Sequence, residues 1–189
     1  MSNTIDLTEL IPRVHTAAKA NGWWDAPRNA GEALMLCVAE LSEALEADRT
    51  GRVCNMQRYA GKCEALHRAF CPDAFREHIK DSAADELADA YIRLCDFAGG
   101  FGLAAQNIAA HREGFRIIRL PGNFGAALLQ IVRAIDSIDI TGATESRVAQ
   151  GLAGIENLCA REGIDLATHI DLKLTYNATR GHKHNGKLY

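Results

Sequence analysis

The chain has 189 residues and a formal net charge of −3, and 48% of its residues are hydrophobic. This length suits one compact domain with a sizeable core, so we expect a single domain over residues 1–189. The charge balance, without a basic stripe, excludes a strong electrostatic case for nucleic-acid binding. No apolar run approaches a membrane span and the first residues lack a signal-peptide pattern, so we expect no membrane partner.

Predicted helices account for most of the chain. Only four prolines interrupt long Ala- and Leu-rich stretches, and alternating β-branched runs are scarce, so we expect an all-α helical bundle. The predicted helices span residues 4–20, 30–49, 56–70, 75–98, 103–117, 124–139, 145–162 and 165–180. The remaining residues, 181–189, are rich in glycine and polar side chains and predict a tail.

Six cysteines are scattered along the chain without short paired spacings. Several of them fall within apolar helical stretches. This pattern indicates buried free thiols rather than disulfides, and therefore a reducing cytoplasm as the location of the protein.

A tryptophan pair precedes the second predicted helix. Trp23 and Trp24 follow Asn21-Gly22, with Arg28 nearby. Two tryptophans in a loop commonly anchor a helix to the core, and that is the default interpretation. The alternative is that Trp24 stacks on a nucleobase at the mouth of a pocket.

Two pairs of acidic residues lie on the second and fourth predicted helices. Glu40 and Glu43 form one pair, and Glu86 and Asp89 form the other. The i, i+3 spacing places both carboxylates of a pair on one helix face. Small and apolar neighbours on those faces favour a covered face over a solvated one, where unpaired carboxylates would be unfavourable. Like charges that converge need a hard cation, so the four acids predict an Mg2+ site, in which Mn2+ can substitute.

Two other metal sites deserve comparison with the Mg2+ site. A di-iron bundle needs two Glu-x-x-His motifs, and only Glu64-x-x-His67 is present. A zinc site could draw on five residues between positions 54 and 78, but their spacing matches no common zinc module. Those residues are Cys54, Cys63, His67, Cys71 and His78. Ordinary core cysteines explain this segment better.

The last predicted helix carries a polar stripe. Lys173, Asn177 and Arg180 are spaced i, i+4, i+7, and Lys183 and Lys187 follow in the tail. An ammonium, an amide and a guanidinium on one face suit a polyanion such as a triphosphate. A cationic helix end that complements the helix dipole is the plainer alternative.

A weak internal repeat relates the two halves of the chain. A shift of 94 aligns residues 31–45 with 125–139, and a shift of 63 or 64 aligns 94–111 with 158–173. The four acids then have the partners Ala134, Ser137, Gln150 and Ala153. We therefore expect one active site per chain, with the metal ligands in repeat 1 (about 30–118) and the phosphate-binding helix in repeat 2 (about 125–181).

The two acidic motifs resemble those of the MazG-like all-α NTP pyrophosphohydrolases, which are related to the dimeric dUTPases. The same resemblance includes the segment GWWDAPRNAGEAL before the first motif and HNGKLY at the end of the chain. The resemblance covers residues from about 21 to 104 and from about 163 to the end. Two features depart from the family: Ala39 stands where a glutamate is common, and residues 105–162 form an additional stretch.

This resemblance implies a helical bundle that uses Mg2+ to hydrolyse a nucleoside triphosphate to the monophosphate and pyrophosphate. Glu40 and Glu43 are the candidate catalytic residues, one of them acting as the base. Lys173, Asn177 and Arg180 would hold the outer phosphates, with Lys183, Lys187, Trp24 and Arg28 as further substrate contacts. A homodimer is expected. The alternative function is a non-catalytic binding or interaction module of the same fold.

Overall fold

A computed structural model describes residues 5–115, 117–139, 142 and 144–186. These residues form ten α-helices and no β-strand, which confirms the predicted all-α fold. The helices are α1 (Leu7–Ala20), α2 (Ala30–Arg49), α3 (Met56–Ala65), α4 (Pro72–His78), α5 (Ala83–Gly100), α6 (Ala105–Gly114), α7 (Phe124–Asp136), α8 (Thr144–Arg161), α9 (Leu166–Ala178) and α10 (Lys183–Gly186).

Side-chain caps begin several of these helices. Asn29 accepts a hydrogen bond from the backbone N–H of Glu32 at the start of α2, and Asn123 accepts one from Ala126 at the start of α7. Such caps satisfy backbone donors that have no partner within the helix. Asn29 and Asn123 also align under the shift of 94, which supports the alignment of α2 with α7. The duplication itself stays a prediction.

The main core surrounds α5. Its buried side chains pack against α1, α2, α8 and α9, and α7 closes the bundle against α2 and α8. Leu87, Tyr91 and Leu94 on α5 have no solvent exposure. A smaller cluster joins α3 and α4 to α9, where Phe75 stacks on Tyr176 with ring centroids 4.5 Å apart. The α2–α5 contact is the most extensive one in the fold, and it determines where the acidic pairs meet.

The predicted helix over 75–98 is wrong in one respect, because it is two helices. α4 ends at His78 and α5 begins at Ala83. Asp81 has a φ of 61°, which a continuing right-handed helix excludes. Ser82 then caps α5, because its side chain accepts a hydrogen bond from the backbone N–H of Asp85. The break places Lys80 and Asp81 on the wall of the cleft described below.

The prediction that the cysteines are free thiols is confirmed. All six cysteines are free, and five of them are buried, with Cys54 partly exposed. No helix in the described part of the chain is both long enough and apolar enough to cross a lipid bilayer.

Candidate metal centre and cleft

A cleft of about 440 Å³ opens between α1, α2, α5 and α9. Seven residues that the sequence singled out line its wall. They are Glu40, Glu43, Glu86, Asp89, Lys173, Asn177 and Arg180. The packing of α2 and α9 against α5 therefore brings both acidic pairs and the polar stripe of the last helix to one cavity.

Three of the four acids form a compact cluster. Glu40, Glu43 and Glu86 each have a carboxylate oxygen within 4.8 Å of the other two. Glu40 and Glu86 are buried, whereas Glu43 is exposed at the cleft surface. Oxygens at this separation can share one hard cation, and carboxylates are the ligands that Mg2+ and Mn2+ prefer. The chemistry of this donor set fits the predicted ion.

Burial makes two of these carboxylates difficult to ionise. The pKa of Glu86 is raised to about 8, mainly by burial, which outweighs the opposing attraction of Lys173. The pKa of Glu40 is raised to about 7 by burial and by the charge of Asp89, although Arg93 opposes the shift. A cation close to these carboxylates would stabilise their charged forms.

Arg93 holds Glu40 in place. Its Nε and Nη2 atoms both donate to Glu40 Oε1, at 3.1 and 3.0 Å. Arg93 lies on α5 and Glu40 on α2, so this ion pair fixes the two helices that carry the acidic motifs. Two donors on a single oxygen leave Glu40 Oε2 as the oxygen that can face a cation.

Lys173 points inward rather than toward open solvent. Its Nζ lies 2.8 Å from Asp85 Oδ2 and 3.2 Å from Asp89 Oδ2, and the residue is only 5% exposed. The sequence predicted that Lys173 holds substrate phosphates. The ammonium lines the cleft, but its contacts within the protein are carboxylates. It therefore links α9 to α5 and offsets the charge of Asp89, the fourth predicted ligand.

Asp85 is a site residue that the sequence reasoning missed. It is 1% exposed and anchors Lys173. A signal was present, because Asp85 and Asp89 are spaced i, i+4 and therefore share a helix face. The i, i+3 spacing from which the ligands were predicted pairs Glu86 with Asp89 and does not include Asp85.

The remaining polar residues of the last helix face the same cleft. Asn177 and Arg180 lie on its wall, and the Arg180 guanidinium lies 5.9 Å from the centre of the Tyr176 ring. Lys80, which the break between α4 and α5 positions, adds another cation to the wall. Lys183 is half-buried and is not among the residues that line the cleft. Lys187 lies outside the described residues.

Trp24 and Arg28 are placed away from the cleft wall. The Trp24 indole N–H donates to Asp96 Oδ1 at 2.9 Å, and its ring packs edge-on against Phe101. Arg28 Nη1 lies 3.6 Å from Asp96 Oδ2. Both residues therefore anchor the loop before α2 to α5. The structure brings Trp23, rather than Trp24, to the cleft, so this placement lends no support to nucleobase stacking by Trp24.

The alternative metal ligands do not converge in the described part of the chain. Cys63 and Cys71 are buried in the small core cluster with Phe75. Glu64 and His67 are exposed, and α3 ends at Ala65, before the histidine. The groups of three or more potential ligands among described residues contain only carboxylates from α2, α5 and the turn before α5.

Comparison with protein-family models, curated proteins and solved structures finds no match. The geometry of the cleft must therefore support any functional assignment, and the resemblance to MazG-like enzymes stays a prediction.

Proposed function

We propose that this protein is an Mg2+-dependent nucleoside triphosphate pyrophosphohydrolase, which converts a (d)NTP to the (d)NMP and pyrophosphate. The convergence of Glu40, Glu43 and Glu86 beside Asn177 and Arg180 is the observation that carries the proposal. An acidic cluster that needs a cation, next to groups that suit an anion, is the arrangement expected of a site for a metal-bound polyphosphate.

Glu40, Glu43 and Glu86 would hold the ion, with Asp89 adjacent to them. When bound, Mg2+ supplies charge neutralisation for the phosphates and lowers the pKa of a coordinated water. The protein residues supply the rest. Arg93 keeps Glu40 oriented through two hydrogen bonds, and Lys173 keeps Asp89 in place.

Glu43 is the candidate base at the α-phosphorus. Unlike Glu40, which Arg93 holds, it lies exposed at the surface of the cleft, where a substrate and a water can both reach it. A general base has to lie within hydrogen-bond reach of the proton that it removes. Glu40 then acts mainly as a metal ligand held in position by Arg93, and Glu43 acts as the base.

Arg180 and Asn177 are the candidates for holding the outer phosphates, and Lys80, which pairs with Asp81 at the surface, is a further cation on the wall. A guanidinium binds phosphate oxygens in a bidentate manner, and it stabilises the charge that develops on the leaving pyrophosphate. Apolar side chains also line the cleft and suit a nucleoside. They are Val14, Ala17, Ala18, Trp23, Ile92 and Leu174.

We also propose a homodimer in the cytoplasm. Met35 on α2 and Leu129 on α7 are 63% and 51% exposed, and exposed apolar side chains on packed helices suit a subunit contact. The buried free thiols fit a reducing compartment. Light scattering at several protein concentrations would test the dimer.

Product analysis tests the enzymatic proposal. The protein is incubated with a panel of NTPs and dNTPs in Mg2+, and the products are identified by chromatography. Monophosphate plus pyrophosphate is expected for at least one nucleotide, and the activity should disappear with a chelator. No turnover of any nucleotide would favour a non-catalytic binding module instead.

A matched pair of variants ties the activity to the cleft. Glu43→Gln should reduce kcat about 100-fold or more, the range expected when a general base is lost. Glu46→Gln is the control, because Glu46 lies on the same helix and is exposed outside the cleft, in an ion pair with Arg49. Equal activity in both variants would contradict the assignment of Glu43.

A further inference from the structure

The segment that follows α9 crosses to the loop that follows α1. The backbone N–H of Lys183 donates to the carbonyl of Asn21 at 2.9 Å, and His182 Nε2 lies 3.0 Å from Asp25 Oδ2. A carboxylate oxygen accepts hydrogen bonds but donates none, so the imidazole Nε2–H is the donor of the second contact. Two separate contacts therefore join residues 181–183, called the strap below, to the loop after α1.

Gly22 provides a third contact between the strap and this loop. Its φ is 81°, in the left-handed region that favours glycine. A Cβ atom at this position would lie 2.0 Å from His182 Nε2 and 2.5 Å from His182 Cδ2, so the imidazole occupies the space that any other side chain would need. Gly22 is buried, although the His182 side chain is itself 64% exposed. The ring therefore lies directly against the backbone of the loop.

The backbone of Lys183 has an unusual conformation. Its φ is 47°, which is unfavourable for a residue with a Cβ atom. Such a conformation persists where the surrounding contacts hold it. The N–H of the same residue donates to Asn21, so the strap bond helps to offset the unfavourable backbone.

Both ends of the strap lie beside the cleft. Asn21 and Trp23 of the loop line the cleft, and so do Asn177 and Arg180 at the end of α9. The strap thus connects two separate segments of the same cavity wall. His182 and Lys183 themselves are not among the described residues that line the cleft.

We infer that His182 and Lys183 are positioning residues of the cleft, which hold the loop after α1 so that Trp23 stays in the cavity wall. A wall that is formed for only a fraction of the time weakens the apparent affinity for a ligand by that fraction. The strap should therefore affect how tightly the nucleoside part of a substrate binds, and it should leave the reaction at the phosphates unchanged.

This inference deepens the proposed function and rests on it in the kinetic measurements only. The position of the loop is measured without nucleotide, by hydrogen–deuterium exchange of residues 21–25 in the purified full-length chain. The backbone N–H groups of Trp23 and Asp25 are hydrogen-bonded within this part of the chain, so they report whether the loop opens.

Two variants at Lys183 isolate the backbone contact. Lys183→Pro removes the N–H and fixes φ near about −65°, so it should open the strap and speed exchange of residues 21–25 about twofold to tenfold, the range for one lost hydrogen bond. Lys183→Gly keeps the N–H and accepts the left-handed conformation, so its exchange should resemble that of the wild type. Both variants lack the lysine side chain, so they differ only in the backbone.

Two variants at Asp25 test the side-chain contact in the same assay. Asp25→Ala removes the acceptor and should speed exchange, whereas Asp25→Asn keeps an oxygen that can accept from His182 and should not. Arg13→Ala is the control, because the exposed pair of Arg13 with Asp171 joins α1 to α9 without contacting the loop. It should leave the exchange of residues 21–25 unchanged.

Kinetics distinguish positioning from a general loss of folded protein. Lys183→Pro should have a KM for the hydrolysed nucleotide that is about twofold to tenfold higher than that of Lys183→Gly, with the same kcat. Partial unfolding would instead lower kcat and leave KM unchanged. Urea unfolding checks that both variants are folded.

The outcomes separate this inference from the enzymatic proposal. Equal exchange of residues 21–25 in Lys183→Pro and Lys183→Gly would overturn the strap. If exchange differs as expected and no nucleotide is hydrolysed, the strap stands and the enzymatic proposal falls. If both variants hydrolyse a nucleotide with the same KM, the enzymatic proposal stands and the positioning role falls.

Discussion

Lys173 joins α9 to α5 through two buried or half-buried carboxylates. Its Nζ contacts Asp85 and Asp89, and the pKa of Lys173 is raised, because the three acids Asp89, Asp85 and Glu86 outweigh the opposing effect of burial. Removing one member of a buried ion pair leaves the other charge uncompensated. Lys173 is therefore expected to be one of the most sensitive positions in the chain.

We predict that Lys173→Met lowers the free energy of unfolding by about 3–5 kcal/mol, the range for one lost partner of a buried pair. Urea unfolding measures the change. The double variant Lys173→Met/Asp85→Asn should lose less than the single variant, because the orphaned charge is removed with its partner. Lys62→Met is a control, since Lys62 pairs with Glu77 at the surface and should change little. An equal loss in both lysine variants would contradict this account.

Residue-level placement was only partly predictable. The i, i+3 spacing was sufficient to place Glu40 with Glu43, and Glu86 with Asp89, on shared faces. The spacing did not indicate that Asp89 would pair with Lys173, or that Glu86 would lie beside Glu40 and Glu43 of α2. That division depends on the packing of α9, which no local pattern encodes.

The Trp24 ring packs directly against the backbone of Gly100 in the last turn of α5. A Cβ atom on Gly100 would lie 2.0 Å from Trp24 Cη2 and Cζ2, so the ring occupies the space that any other side chain would need. This close approach lets the Trp24 indole reach Asp96 on the same helix. The loop before α2 is thereby fixed against α5.

We predict that Gly100→Ala lowers the free energy of unfolding by about 1–3 kcal/mol, because overpacking displaces the ring. Gly61→Ala is the matched control. Gly61 also lies within a helix, but a Cβ there meets nothing within 4 Å, so alanine should be neutral or stabilising by up to about 1 kcal/mol. Thermal unfolding of both variants provides the comparison. A Gly100→Ala protein as stable as Gly61→Ala would contradict the packing argument.

Most of the helices followed from local patterns, but three features did not. The break between α4 and α5 was not predicted, α3 ends at Ala65 rather than at residue 70, and residues 183–186 of the predicted tail form the short helix α10. The prediction of a helix over residues 30–49 matches α2, and α8 differs by one residue at each end. The sequence did not predict the break between α4 and α5, because residues 79–82, which separate the two helices, contain neither glycine nor proline. Asp81 adopts a left-handed backbone conformation although it is not a glycine. Its backbone N–H donates a hydrogen bond to the side chain of the buried Asp85.

Across the whole molecule, the buried acids Glu40 and Glu86 make the free energy of unfolding depend on pH. The folded-state pKa values of Glu86 (about 8) and Glu40 (about 7) lie above the ordinary value of 4.5. Between pH of about 4.5 and 8, the folded protein without metal thus retains protons that the unfolded chain releases. The free energy of unfolding therefore falls as pH rises through this interval, and the loss ends above the folded pKa values.

We predict that the free energy of unfolding in chelator falls by several kcal/mol from pH 5 to pH 8, with Glu86 contributing on the order of 4 kcal/mol. Urea unfolding at a series of pH values measures it. Glu86→Gln should flatten the dependence, and Mg2+ should stabilise the wild-type protein more at pH 8 than at pH 6, because binding favours the ionised carboxylates. Stability that rises over this interval in chelator would contradict the placement of Glu86.

Composition, helical periodicity and cysteine spacing were sufficient to predict an all-α chain, the two acidic pairs and the free thiols, because each depends on neighbours within a few residues. Only the tertiary structure decided that Glu40, Glu43 and Glu86 converge, that Lys173 turns inward to Asp85, and that Trp23 rather than Trp24 lines the cleft. These outcomes depend on how α2 and α9 pack against α5. Packing is determined by the burial of many side chains together, and the spacing within any one helix does not report it.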